Sequence, residues 1–174
     1  LENNSQKIKT MLNISPQETA IAPNLTVKEN LEFFAGVYQI KDRNEKIEKL
    51  VKDFKLEKVI DEKAKKLSGG WQRRLSIALA LINGPKILFL DEPTLGLDVI
   101  ARKELWHIIE KLKGKITIIL TTHYMEEAEA LSDRIGIMKN GRVIVTGTAK
   151  SLMKQAKAST FEDAFVKIVT GEEL

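Results

Sequence analysis

The chain is 174 residues long, 43% hydrophobic and 30% charged, with a net charge of +4 and no cysteine. That length supports one domain with a real core in an ordinary globular composition, and no apolar run approaches the roughly 18 residues needed to cross a bilayer. Disulfides and thiolate metal sites are excluded, scattered lysines at so modest a charge argue against nucleic acid, and the polar opening Leu1-Glu2-Asn3-Asn4 does not read as a secretory signal.

Lys9–Ile14 reads as a short strand closed by Ser15-Pro16-Gln17. Thr26 then opens a helix, with Glu29 three residues on completing a capping box. Val27, Leu31, Phe34, Ala35 and Tyr38 keep helical spacing, so one face is buried. Asp42 and Glu45 repeat the capping pattern for a second helix, whose stripe is Ile47, Leu50, Val51 and Phe54. Glu57–Ile60 is a short third piece, and Asp61–Lys66 is a charged connector. Leu25 to about Asn83 therefore reads as all helix, and the rest alternates strand and helix.

The helix after Gly70 places Trp71, Leu75, Ala78, Leu79 and Ile82 on one side, and Gly84-Pro85 stops it. Lys86–Leu90 is a continuous apolar run, expected for a parallel strand buried on both faces. Asp98 caps a helix reaching Lys113, and Lys115–Leu120 is the next buried strand, so the pair forms a parallel crossover unit. Tyr124–Leu131 is a short helix. Arg134–Lys139 and Arg142–Thr146 flank Asn140-Gly141, a strong hairpin signal. Thr148–Ala156 and Thr160–Val169 are terminal helices.

Two places carry chemistry. Ligands of open parallel sheets sit beyond the carboxyl ends of the strands. Asp91 and Glu92 stand at that end of one strand, and Thr121-Thr122-His123 at that end of the next. Two carboxylates and an imidazole are therefore expected on one rim. Taken alone, Asp91-Glu92 is also consistent with a plain acidic loop. Ser68-Gly69-Gly70 opens a helix, where free N–H groups and the dipole favour an anion. Taken alone, it is also consistent with a turn and an N-cap.

Leu67-Ser68-Gly69-Gly70-Trp71 resembles the signature sequence of the ATP-binding cassette (ABC) ATPases, and Ile87–Pro93 resembles their Walker B strand with its catalytic glutamate. Gly96-Leu97-Asp98 resembles the D-loop, His123 the H-switch, and Gln17 the Q-loop glutamine. Gly141–Val145, Gly147-Thr148 and Phe161-Glu162-Asp163-Ala164-Phe165 followed by Gly171 resemble drug- and ion-exporter ATPases of the ABC-2 type. The resemblance implies an α/β fold: a P-loop NTPase-like ABC core, with a parallel sheet and flanking helices, plus an α-helical subdomain. Residues 1–23 would form the Q-loop end of the core and 24–83 the helical subdomain ending in the signature helix. Residues 84–174 would carry Walker B, D-loop, H-switch and the rest of the core.

The implied activity is ATP hydrolysis that drives transport, with ATP and Mg²⁺ as cofactors. Asp91 would hold Mg²⁺, Glu92 would orient and deprotonate the attacking water, and His123 would hydrogen-bond the γ-phosphate. Gln17 would sense the γ-phosphate and Mg²⁺. Ser68, Gly69 and Gly70 would bind the γ-phosphate of the ATP held by the opposite subunit, and Asp98 would link the two sites. The implied partners are a second ABC ATPase subunit, as a homodimer, and a membrane permease docked around Ala22–Thr26. No nucleic acid is implied, and the membrane is reached only through the permease, on the cytoplasmic inner face of the cell membrane.

Family members also begin with an aromatic that stacks on adenine, then a strand and Gly-x-x-x-x-Gly-Lys-Ser/Thr (Walker A). Neither occurs in these residues: the only Gly-Lys pair, Gly114-Lys115, is followed by Ile116 and reads as a helix C-cap. The chain is therefore expected to be truncated on its N-terminal side, to be inactive alone, and to expose apolar strand faces on Ile87–Leu90 and Ile116–Leu120, which favours oligomerisation or element swapping. A second reading is a non-catalytic docking or regulatory module with the ABC ATPase fold, although such a module has no need of Glu92 or His123. A third, a DNA-repair or chromosome ATPase, needs heptads between Gln17 and Ser68, which are not there.

Overall fold

A computed structural model describes residues 8–171. The chain divides into two compact units, residues 1–121 and 122–174. In the first, strands β1 (Leu12–Ser15), β2 (Ile87–Asp91) and β3 (Thr117–Thr121) form a sheet in the order β1-β2-β3. Both pairings are parallel, with Ile14 opposite Phe89 and Phe89 opposite Ile119. The helices are α1 (Val27–Val37), α2 (Arg43–Asp53), α3 (Gly69–Ala80) and α4 (Val99–Glu110), with single 3-10 turns at Glu57–Val59 and Ala64–Lys66.

The capping box of α1 is complete. Thr26 Oγ1 accepts from Glu29 N–H at 3.1 Å, and Glu29 Oε2 accepts from Thr26 N–H at 2.7 Å. The bond from Thr26 N–H, and after it the Thr26 side chain, hold the Glu29 carboxyl below its ordinary value. A depressed carboxylate stabilises above its unfolded pKa and loses that contribution as pH falls through the folded one. Thr26→Ala is expected to cost about 1 kcal/mol at neutral pH and, because the substituted residue keeps the backbone N–H that contributes most to the Glu29 shift, to leave most of the pH dependence in place. Denaturation midpoints at neutral and acid pH check this. Asp42 does not repeat the pattern: it precedes α2 at φ −96°, ψ 50° and makes no side-chain cap bond. Its backbone lacks the extended conformation that aims an N-cap side chain at the first turn.

Helix α3 has no solvent face over its second half. Residues 73–80 are all buried, Arg73, Arg74 and Ser76 included, because α3 packs on α1, α4 and β1 at once. The one-sided apolar pattern expected of it is replaced by burial all round, with polar groups paired: Ser76 Oγ lies 3.0 Å from Ser15 Oγ. In the sheet the reverse holds. Leu88 and Leu90 are buried, but Phe89 on the other face is only partly covered. Its register neighbours Ile14 and Ile119 are 56% and 44% exposed, so one sheet face presents an apolar row to solvent.

The second unit is a hairpin with three helices. Strands β4 (Ile135–Lys139) and β5 (Arg142–Gly147) pair antiparallel across Asn140 and Gly141. Both turn residues have positive φ, 51° and 74°, the geometry that makes Asn-Gly a hairpin turn. Helices α5 (Met125–Leu131), α6 (Ala149–Gln155) and α7 (Phe161–Thr170) enclose a core of Ile135, Ile137, Leu152 and Phe161. Among the described residues, no helix is long and apolar enough to cross a membrane.

Candidate functional site

Asp91 closes β2 opposite Thr121, whose hydroxyl donates to Asp91 Oδ1. Glu92 leaves the strand at φ +47°. That left-handed backbone is uncommon outside glycine and costs on the order of 1–3 kcal/mol, which surrounding bonds must offset. They come from two sides. Glu92 N–H donates to Thr121 O at 3.1 Å, and Glu92 O accepts from Arg73 Nη2 at 3.3 Å. The carboxylate is thereby carried on a turn tied to its neighbouring strand and to helix α3.

The same guanidinium reaches the turn after β1. Arg73 Nη1 donates to Pro16 O and Nη2 to Gln17 O, both at 2.6 Å. Gln17 keeps its side chain exposed while its backbone is anchored. Arg73, only 4% exposed, therefore joins the backbones of Gln17 and Glu92. Sequence reasoning gave Arg73 no role. The available signal was a pair of arginines, Arg73 and Arg74, inside a run of apolar helical positions, where a buried cation needs buried acceptors. Arg74 is likewise buried, stacks 4.5 Å over the Trp71 ring and pairs with Glu104 of α4.

Ser68 precedes α3 in extended backbone, at φ −64° and ψ 160°, and its side chain makes no cap bond. The first N–H groups of a helix have no partner within it, and the positive dipole end suits an anion there. Gly70 serves close packing. A Cβ on Gly70 would lie 3.1 Å from Ala101 Cβ, and one on Gly69 would lie 3.7 Å from Leu97 Cδ2. The first turn of α3 thus lies against the segment that leads into α4. Asp98 caps that helix, its Oδ1 accepting from Ile100 N–H and Ala101 N–H at 2.9 Å each.

His123 belongs to the second unit. It is exposed, with its ring centroid 4.2 Å from that of Tyr124 at an interplanar angle of 39°. Tyr124 N–H donates to Thr122 Oγ1 at 3.0 Å, which shapes the turn after β3. Of the residues singled out, the structure thus joins Asp91 to Thr121 and, through Arg73, Gln17 to Glu92. Gly69 and Gly70 it places against the segment that begins with Leu97 and Asp98.

Among the described residues, no group of three or more His, Asp or Glu could hold a metal ion. Asp91 offers one hard carboxylate beside a hydroxyl. That donor set fits Mg²⁺, which keeps several waters and takes one or two carboxylates together with substrate phosphate. It does not fit a closed zinc site, which takes four ligands.

A family model described as "ABC transporter" matches residues 1–95. The Escherichia coli protein named "Probable multidrug ABC transporter ATP-binding protein YbhF" is 38% identical over 177 residues, covering 97% of this chain and 30% of that protein. The Arabidopsis thaliana protein "ABC transporter A family member 9" is 44% identical over 165 residues, covering 94% of this chain and 17% of that protein. The chain thus spans less than a third of either relative's length. A solved structure titled "Structure of ATP binding subunit of ABC transporter" superposes with a TM-score of 0.80 at 25% identity, over 97% of this chain and 72% of that one.

Proposed function

The chain belongs to the ABC transporter family, and on that premise we propose that its residues hydrolyse ATP in the ATP-binding subunit of an exporter, of the multidrug or ion kind. The observation that carries the reading is the Glu92 turn: a carboxylate next to Asp91, in left-handed backbone, pinned by Thr121 on one side and Arg73 on the other. Strain held by surrounding structure is what a positioned reacting group requires.

The roles are those that the family resemblance implies for these positions. Glu92 accepts the proton of the attacking water and aims it, and a positioned base of this kind contributes about 10²–10⁴ in rate. Asp91 would hold Mg²⁺, its Oδ1 accepting from the Thr121 hydroxyl and so fixing the carboxylate plane. When bound, Mg²⁺ neutralises charge on the phosphate oxygens. By the same resemblance, His123 would donate to the terminal phosphate. Gln17 reads the same phosphate and the metal from the turn after β1. Ser68, Gly69 and Gly70 offer the start of α3 to the terminal phosphate of an ATP bound by a second subunit, and Asp98 links the two sites. That subunit is a second copy, and the helical part near Ala22–Thr26 docks on a membrane permease at the cytoplasmic face.

A chimaera tests this reading. The phosphate-loop strand and helix of a related ATP-binding subunit, joined ahead of Leu1, are expected to give Mg²⁺-dependent ATP hydrolysis that stops on chelation. A chimaera that folds and binds ATP yet never turns it over contradicts the proposal.

A further inference from the structure

The first unit holds a cavity of about 690 Å³, a volume typical of small-molecule sites. It lies where Lys86 leads into β2 and Lys115 leads into β3, the opposite end of those strands from Asp91 and Thr121. Two more lysines, Lys46 and Lys49 of α2, line it, against a single carboxylate, Asp53. Its apolar lining includes Leu112 and Ile116, both partly exposed, beside the buried Phe54 and Leu81. Four lysines from three separate segments therefore line one cavity, against one carboxylate, an excess of three positive charges; Lys46 is partly buried and Lys49, Lys86 and Lys115 are exposed.

Like charges gathered in one cavity repel, and a half-buried ammonium loses hydration. Lys46 shows that cost: burial, then the nearby Lys49, push its ammonium below the ordinary lysine value, while Asp53 restores only part. Among the described residues, none of the four lysines makes an ion pair. An anion of more than one charge would relieve the repulsion, and the apolar wall suits a hydrocarbon body beside it.

We propose that this cavity binds a small phosphate monoester with an apolar body, the phosphoryl group on Lys46, Lys49, Lys86 and Lys115 and the body against Leu112 and Ile116. A carboxylate brings one charge to a cavity with an excess of three. A phosphate monoester dianion brings two charges and three terminal oxygens for several ammonium groups at once. The site is independent of ATP hydrolysis and stands whether or not that reading holds.

Calorimetric titration of the 174-residue chain with butyl and hexyl phosphate, inorganic phosphate and hexanoate tests it. Hexyl phosphate is expected to bind tightest. The butyl-to-hexyl step should gain about tenfold if both methylenes are buried, with hexanoate and inorganic phosphate far weaker. Lys49→Gln and Lys115→Gln, both at exposed positions, should each weaken hexyl phosphate about tenfold and leave the thermal midpoint unchanged. Flotation with phosphatidic acid vesicles against phosphatidylcholine vesicles distinguishes the source. Capture on the acidic vesicles that is lost in the lysine variants makes the ligand a lipid headgroup, and its absence beside hexyl phosphate binding makes it a free metabolite. Hexyl phosphate binding no tighter than inorganic phosphate, or binding indifferent to both lysine variants, overturns the proposal.

Discussion

ATP titrated into the 174-residue polypeptide is expected to show no saturable binding at the Asp91–Glu92 rim up to about 1 mM, and no hydrolysis. On the proposed reading the rim offers Asp91 for the metal and Glu92 for water, while the start of α3 serves an ATP held by a second subunit. No Gly-x-x-x-x-Gly-Lys-Ser/Thr occurs among these residues to add a nest of amides, a lysine on the β- and γ-phosphates and a hydroxyl on the metal. One lysine–phosphate pair near 4 Å is worth on the order of 4 kcal/mol at an effective dielectric near 20. A millimolar complex is held by only about 4 kcal/mol in all, so this single pair decides whether binding is seen. The lysine cavity is a second place for a polyphosphate. A weak ATP signal that disappears in Lys49→Gln and Lys115→Gln arises there. A signal better than millimolar that survives both changes and disappears in Asp91→Asn contradicts the expectation.

Arg73→Met is expected to lower stability by about 3 kcal/mol or more. The guanidinium is buried and donates to Pro16 O, Gln17 O and Glu92 O. Hydrogen bonds to a charged group are worth about 1.5–3 kcal/mol each, and buried acceptors left without a donor add their own cost. Some of that loss is recovered, because burying the cation was itself expensive and Met fills much of the space. For a chain of this size the shift corresponds to a thermal midpoint lower by about 6–12 °C. Hydrogen exchange should localise the effect, with the turns at Gln17 and Glu92 losing protection before Leu75 and Leu79 of the same helix. Arg73→Lys keeps the charge and loses the planar fork, so it should fall between wild type and Met. An Arg73→Met chain within about 0.5 kcal/mol of wild type, the range of an ordinary surface substitution, would mean that the two turns are held by something else.

Elements with a local cause were legible in the sequence. The Thr26–Glu29 box, the Asn140-Gly141 turn and the Asp98 cap each depend on residues within three positions of one another, and each forms as expected. Parallel pairing of β2 and β3 followed from the length of the crossover. What depends on distant neighbours was not legible. The all-round burial of α3 arises because α1, α4 and β1 press on it from three sides, and no periodicity within its own residues reports that. Arg73 was missed for the same reason, since its acceptors lie 57, 56 and 19 positions away. Asp42 failed in the opposite sense. The residue type was right, but the backbone after the turn at Gln39, with φ +52°, enters α2 in a conformation that an N-cap does not use. The Lys86–Leu90 run matched a strand buried on both faces by composition, whereas the absence of the phosphate-loop motif pointed to an exposed strand face, and one face of the sheet is open at Ile14 and Ile119.

Candidate site residues were named from motif order, and the structure adds the ties between them. Asp91 and Glu92 sit at the carboxyl end of β2, as parallel sheets lead one to expect. The left-handed backbone of Glu92 has no sequence signature, because glutamate rarely adopts it and nothing in Leu90–Pro93 forces it.

The most direct measurement is single-turnover hydrolysis in the phosphate-loop chimaera with Glu92 and with Glu92→Gln, ATP affinity being determined in parallel. If the Glu92 carboxylate is the group that activates water, the exchange leaves ATP bound as before and slows hydrolysis by about 10²–10⁴. Hydrolysis by Glu92→Gln at the wild-type rate, with ATP equally well bound, would show that the pinned turn at the end of β2 serves the fold alone.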